Sequence, residues 1–294
     1  TPHVSFTAQT GVQTPLKLPT PLPAYQYAYL YNEGLLNDNK QTAYSFEDFD
    51  AYKNGTDPYG HPDVNWFNTI LKDNALISRY DLNVSGGGNS ARYSVGLGYF
   101  QQDGLFKTSN ADYNTNAQIK RYTINTNLDI DVTPAFKTQL QIYARIQDGN
   151  QPGTSTNAVM TSLYNTPNNA YPVHNPDGSL GGSQTFGTNL YGMVNNSGYI
   201  TDYTRDISAN LLLNYKFDKW VKGLWAKLQS NLSVYASNAA DRSKTSPVFK
   251  FNVSETGDTT YNRYGNNTDL RNNFLLTYSA QYWYLQGAVG YDRQ

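Results

Sequence analysis

A chain of 294 residues with 15% charged residues, 14% aromatic residues and a formal charge of −1 is too aromatic and too nearly neutral for a disordered segment. It also lacks the basic footprint of a nucleic-acid binder. With no cysteine, disulfide frameworks, thiolate metal sites and cysteine nucleophiles are excluded. The abundant residues are Asn, Gln, Ser, Thr, Gly and 26 tyrosines, which suit strands with one apolar and one wet face.

The opening residues Thr1-Pro2-His3-Val4-Ser5 are neither basic nor followed by an apolar run, so they do not read as a secretory leader. No stretch approaches the ~20 apolar residues of a membrane helix. The chain is therefore soluble, crosses a bilayer as strands, or is only part of a protein. Residues 3–13 alternate weakly and predict a first strand. A long link over 14–78 follows. Within it, Tyr27, Leu30, Tyr31 and Leu35 fall at helical spacing, Ser45 with Glu47 and Asp48 marks a helix start, and 65–71 suits another short helix. Weak alternation at 79–86 and 91–101 flanks Gly86-Gly87-Gly88-Asn89-Ser90. Because a strand follows, these glycines predict a tight turn and not a phosphate-binding loop.

Alternation is strongest in the middle of the chain. In 121–132, Tyr122, Ile124, Leu128, Ile130 and Val132 oppose Arg121, Thr123, Asn125, Asn127, Asp129 and Asp131. In 137–147, Leu140, Ile142, Ala144 and Ile146 oppose Lys137, Gln139, Gln141, Arg145 and Gln147. The runs 206–217 and 224–234 repeat the pattern, and weaker copies at 268–280 and 285–292 are expected to be joined by a turn at 281–284. About nine strands result, each near the ~9–11 residues that a tilted strand needs to cross a bilayer. Short links at 86–90, 133–136, 218–223 and 281–284 alternate with long ones at 14–78, 102–118, 148–203 and 237–266. That is the expectation for an antiparallel transmembrane β-barrel, with short periplasmic turns and long extracellular loops carrying short helices.

Several segments resemble the SusC/RagA family of TonB-dependent outer-membrane transporters of Bacteroidetes. They are Asp57-Pro-Tyr-Gly-His-Pro-Asp63-Val-Asn65-Trp66-Phe67-Asn-Thr-Ile-Leu71, then Leu82-Asn-Val-Ser-Gly-Gly-Gly88 and Ala91-Arg-Tyr93-Ser-Val95-Gly-Leu97-Gly98-Tyr99. Asp103-Gly104-Leu105-Phe106-Lys107, Lys120-Arg121-Tyr122 and Asn125-Thr-Asn127-Leu128-Asp129 continue the series, and Val4–Val12 and Tyr25–Glu33 match the usual first strand and loop. The resemblance covers about residues 1–150. It implies a bacterial outer-membrane, multi-pass location and TonB-dependent import of an oligosaccharide or peptide, with no enzymatic step and no cofactor. It also implies a SusD-like surface lipoprotein as partner, and contact with TonB through an N-terminal part. Family barrels have about 22 strands, together with a signal peptide, an N-terminal β domain and a plug. Residues 1–294, ending at Asp292-Arg293-Gln294 without a terminal aromatic residue, are therefore expected to be part of the barrel domain alone. The competing readings are a passive porin, a SusC-like barrel serving as a docking component of a larger outer-membrane complex, and a soluble all-β glycan-binding or glycan-cleaving module.

Arg92, Arg121, Asp129, Asp131 and Arg145 share the polar strand faces and are the candidates to line a lumen or hold a plug by ion pairs. Asp129 and Asp131 could do acid–base work or bind Ca²⁺, but a wet lumen explains them more simply. Tyr59, Trp66, Tyr164, Tyr171, Tyr191, Tyr199 and Tyr203 are candidates to touch substrate or partner, and each could equally be a structural girdle or loop-core residue. His3, His61 and His174 show no metal-ligand spacing and read as exposed loop histidines.

Overall fold

The period-two pattern does what it predicts. The computed structural model describes residues 2–109 and 112–292. It contains one eight-stranded antiparallel sheet: β1 (His3–Gln13), β2 (Ala75–Gly87), β3 (Ala91–Asp103), β4 (Gln118–Thr133), β5 (Phe136–Pro152), β6 (Gly198–Lys216), β7 (Leu224–Ser243) and β10 (Asn273–Tyr291). Each strand pairs with its predecessor in that order. The outer strands β1 and β10 each have one partner among the described residues. Arg293 and Gln294 lie outside the described residues. No helix among the described residues is long and apolar enough to cross a membrane.

The long links all leave the same end of the sheet and fold on one another. The first carries α1 (Ala24–Asn37), α2 (Phe46–Asn54) and α3 (Trp66–Ile70), and the link from β5 to β6 carries α4 (Thr156–Asn165) and α5 (Leu190–Asn195). Helix α2 begins where the sequence marks it. The Ser45 side chain accepts from the Asp48 N–H, and Asp48 accepts from the Ser45 N–H, which completes a capping box. The fold's main hydrophobic core lies in this loop layer, not within the sheet. Trp66, Phe67, Ile70, Leu71, Phe106, Val159, Leu163, Tyr171, Leu190, Met193 and Val194 are buried together.

Two expectations need correction. No turn exists at 281–284: β10 runs straight through, with Tyr282, Trp283 and Tyr284 paired to Ser233, Leu232 and Asn231 of β7. Aromatic residues on both faces hid the alternation there, while their strand preference kept the ladder intact. The link 237–266 holds an unexpected hairpin, β8 (Val248–Val253) and β9 (Thr259–Tyr264), outside the main sheet. Helix α1 forms where the spacing predicts it; it buries Ala24, Ala28 and Asn32, leaves Tyr27 and Leu35 half-buried and exposes Leu30 and Tyr31.

Candidate functional site

Cross-strand register sorts the sheet into two chemically distinct faces, since residues directly opposite each other point the same way. One row runs Arg92, Asp129, Gln139, Leu212, Gln229 and Gln286 across β3 to β10. Another runs Phe100, Arg121, Gln147, Thr204 and Ser237. Arg92, Arg121, Asp129, Asp131 and Arg145 therefore share one wet face with Asn125, Gln141, Asn210 and Asn231. The Arg121 guanidinium lies 5.6 Å from the Phe100 ring centre and its Nε donates to Gln147 Oε1 at 2.9 Å. Arg145 meets Asp206 at 3.3 Å, and Asp131 meets Lys137 at 3.1 Å. Three of these five candidates thus already have partners inside the sheet.

The opposite face is apolar and uncovered. Val4, Phe6, Leu97, Ile124, Leu211, Leu228 and Leu232 are all exposed, and among the described residues no second sheet or helix layer lies over them. Aromatic residues bound it at both ends. Near the long loops, Tyr80, Tyr99 and Tyr122 stand side by side on β2, β3 and β4, with ring centres 6.2 and 5.1 Å apart. Near the short turns, Phe136, Tyr215, Phe217 and Trp220 form a second chain of ring contacts. At about 3.3 Å per residue, Tyr203 to Tyr215 covers about 40 Å along β6. A tilt of ~40° leaves roughly 30 Å of that across a bilayer. Arg205 also falls on this face, next to the Tyr203 end and away from its middle.

The loop aromatics separate into classes that the sequence did not distinguish. Trp66 and Tyr171 are buried against each other with ring centres 4.8 Å apart, so as core residues they have no surface to offer a ligand. Burial pushes the Tyr171 hydroxyl up to about 12. Tyr203 is a strand residue at the rim of the apolar face, not a loop residue. Tyr191 donates to or accepts from Ser109 Oγ at 2.6 Å, and Tyr199 packs on Tyr113. Tyr59 and Tyr164 remain exposed, edge-on to Phe251 and Phe67 respectively.

The asparagines have an internal role. Asn32 accepts from the Ala43 and Tyr44 N–H groups and donates to the Tyr44 carbonyl. Asn189 donates to the Val173 and Gly181 carbonyls and accepts from the Gly192 N–H. Each buried amide satisfies backbone groups that irregular loops would otherwise leave unpaired. His61 also departs from expectation. It is no free loop histidine: Nε2 lies 2.7 Å from Asp48 and Nδ1 lies 2.9 Å from Asp57. Partial burial works against its charge, but the two carboxylates prevail and raise its pKa above the ordinary value. A surface that sequence reasoning missed lies beside this clamp. Tyr25, Tyr29, Leu30, Phe46 and Phe49 enclose a concavity of about 650 Å³, with Asp50 and Lys53 at its edge.

With both faces and the loop layer defined, comparison with known proteins becomes informative. No family model matches the chain. A TonB-dependent receptor of Formosa agariphila is 28% identical over 187 residues, 62% of this chain and 16% of the relative. A second TonB-dependent receptor of the same organism is 30% identical over 112 residues, 36% of this chain and 10% of that relative. The RagAB peptide transporter superposes with a TM-score of 0.56 at 18% identity, over 84% of this chain and 29% of that one. The chain is thus similar to TonB-dependent receptors in sequence, and its sheet shares the fold of the RagAB transporter. The RagAB peptide importer in its "open-open" state gives the same TM-score at 16% identity. The fold likeness therefore extends along most of the sheet, while the chain spans less than a third of each of these proteins.

Proposed function

We propose that residues 1–294 form part of a bacterial outer-membrane barrel that imports a large nutrient, an oligosaccharide or a peptide, using energy delivered through TonB. The apolar face carries this reading. It is uncovered, bounded by aromatic girdles at both ends, and backed by an ion-paired wet face. A soluble glycan-binding module would have to hide that face under a second layer. In this reading the apolar face meets lipid, and the wet face lines the lumen and meets the plug. The long loops lie outside the cell, where a SusD-like lipoprotein closes over them. The description of the structural neighbours as peptide transporters favours the peptide side of the substrate pair. No chemical step on the substrate is involved. The work is binding, closure and release.

The test is sidedness in cells making the full-length protein. A cysteine at Thr256, in the exposed turn of the β8–β9 hairpin, should react with an impermeant maleimide on intact cells. A cysteine at Ser90, in the short β2–β3 turn, should react only after the outer membrane is opened. The reverse pattern would overturn the orientation, and equal reaction at both sites would overturn the membrane reading.

A further inference from the structure

The three short turns of the sheet are not alike. Those at 88–90 and 134–135 carry no charged residue, whereas the β6–β7 connection reads Lys216-Phe217-Asp218-Lys219-Trp220-Val221-Lys222-Gly223. Lys216, Lys219 and Lys222 are exposed, and none has a carboxylate within ion-pair distance among the described residues. The one acid of the turn is occupied locally, since Asp218 Oδ1 accepts the Gly223 N–H at 2.8 Å. The turn is also well defined. The Trp220 and Val221 N–H groups both donate to the Phe217 carbonyl, and Gly223 takes a positive φ of 87°. This geometry holds Trp220 outward at 76% exposure and Val221 at 48%. The Trp220 ring continues the aromatic row, 5.5 Å from Phe217, which lies 4.7 Å from Tyr215 on the apolar face. On the wet side, Lys227 joins Lys216 and Lys222 around a concavity of about 820 Å³ that Asp218 and Asp292 also line, while Lys137 there is paired with Asp131.

A large exposed indole next to unpaired ammonium groups, at the edge of an apolar band, is the chemistry of a bilayer interface. Indole rings settle at headgroup level, and lysines near the surface are drawn to anionic lipid. We propose that the β6–β7 turn is a docking site for anionic phospholipid, in which Lys216, Lys219 and Lys222 meet the phosphodiester groups while Trp220 and Val221 enter the acyl boundary. An acidic protein partner could cover the lysines and the indole, but it would not account for Trp220 continuing, through Phe217 and Tyr215, the aromatic edge of the uncovered apolar band. The inference rests on the reading of the sheet as a membrane barrel.

Native mass spectrometry of the full-length protein, exchanged into micelles containing equal phosphatidylglycerol and phosphatidylcholine, tests it. The wild type should retain phosphatidylglycerol in preference to phosphatidylcholine, and added salt should reduce that preference. Changing Lys216→Gln, Lys219→Gln and Lys222→Gln together should lower phosphatidylglycerol retention by roughly fivefold per lysine and leave phosphatidylcholine unchanged. Trp220→Ala should lower retention of both. A triple variant that retains as much phosphatidylglycerol as the wild type, or a wild type without preference, overturns the proposal. A full-length protein that stays folded and soluble without micelles and retains neither lipid overturns the barrel reading, and this inference with it.

Discussion

His61 joins two parts of the loop layer that are otherwise separate in sequence, the first turn of α2 through Asp48 and the 57–60 turn through Asp57. The Tyr52 ring stands edge-on to the imidazole at 5.0 Å, and burial pushes its hydroxyl up to about 12, so it stays neutral through the physiological range. For Asp48, burial raises the pKa, but the Ser45 N–H, His61 and the Ser45 hydroxyl outweigh it, and the net shift is downward. Asp57 is lowered in the same way, by the Gly60 N–H and His61 against burial. The signs define a window. A raised histidine contributes stability that is fully present below its ordinary 6.5 and is lost as pH rises through its folded value. The lowered aspartates contribute above their ordinary 3.8 and lose it as pH falls through their folded values. Hydrogen exchange over 46–61, corrected for intrinsic rates, should therefore be slowest in mildly acidic buffer and should quicken on the alkaline side. Asp48→Asn should flatten that profile, and an unchanged profile would rule the clamp out as a stabilising contact. Trp66 offers a second residue-scale test. It is 1% exposed, and its Nε1 has no hydrogen-bond partner. Trp66→Ala should cost about 3–5 kcal/mol of loop-layer stability, read as the opening free energy of α3 amides. Trp66→Phe should cost much less, because it keeps most of the ring and removes the unpaired donor. Neither environment was visible in sequence: His61 finds Asp48 across thirteen positions, and Trp66 finds Tyr171 through tertiary packing alone.

At the scale of elements, legibility followed periodicity. Strands β4 to β7 announced themselves because polar and apolar residues alternate along them with few exceptions, such as Leu212 on the wet face. Strand β10 did not, since Tyr282 and Tyr284 occupy the wet face that elsewhere carries Asn and Ser. In α1 the helix came where the spacing marked it, and the packed side is centred on Ala24, Ala28 and Asn32. A hydropathy pattern does not encode how closely two helices must approach. The faces of the sheet give a test in which only direction differs. Leu211 on β6 lies on the apolar face, and Gln141 on β5 pairs with its neighbour Asn210 on the wet face. Leu211→Arg should cost roughly 2–4 kcal/mol at mid-depth in a bilayer, seen as a lower yield of heat-modifiable folded barrel in full-length protein. Gln141→Arg adds the same charge on the wet side and should fold at nearly the wild-type yield. Equal losses would mean that both faces meet the same environment, contrary to the barrel reading.

At the scale of the whole molecule, the question is what the loop layer presents outward. The family resemblance was legible in 57–71 and 82–129, and it pointed to a partner protein, but it could not say which surface that partner would use. The segment 165–198 of the β5–β6 link first looks suitable, being rich in Asn and Gly and poor in charge. Yet Tyr171, Leu190, Met193 and Val194 belong to the buried core, so replacing this link with a flexible linker would collapse the layer and reveal nothing about an interface. The α1–α2 surface is the better test. Phe46 is 81% exposed, Tyr29 63% and Leu30 50%. Large apolar side chains displayed together in this way mark interaction sites more often than they mark a free surface. The helix pair is held on the loop layer from behind, by Asp63 accepting the Ala24 N–H and by Asn169 donating to the Tyr44 hydroxyl. Its outer side can therefore be altered without removing a core contact. We expect that full-length protein carrying Leu30→Ser and Phe46→Ser, extracted in mild detergent, will retain about tenfold less co-purifying lipoprotein than the wild type, the loss typical of two interface anchors. The heat-modifiability of its barrel should not change. Retention at the wild-type ratio would show that the partner docks elsewhere. If the wild type itself purified without any lipoprotein, the pairing would be wrong, and the same exposed surface would favour the docking-component reading.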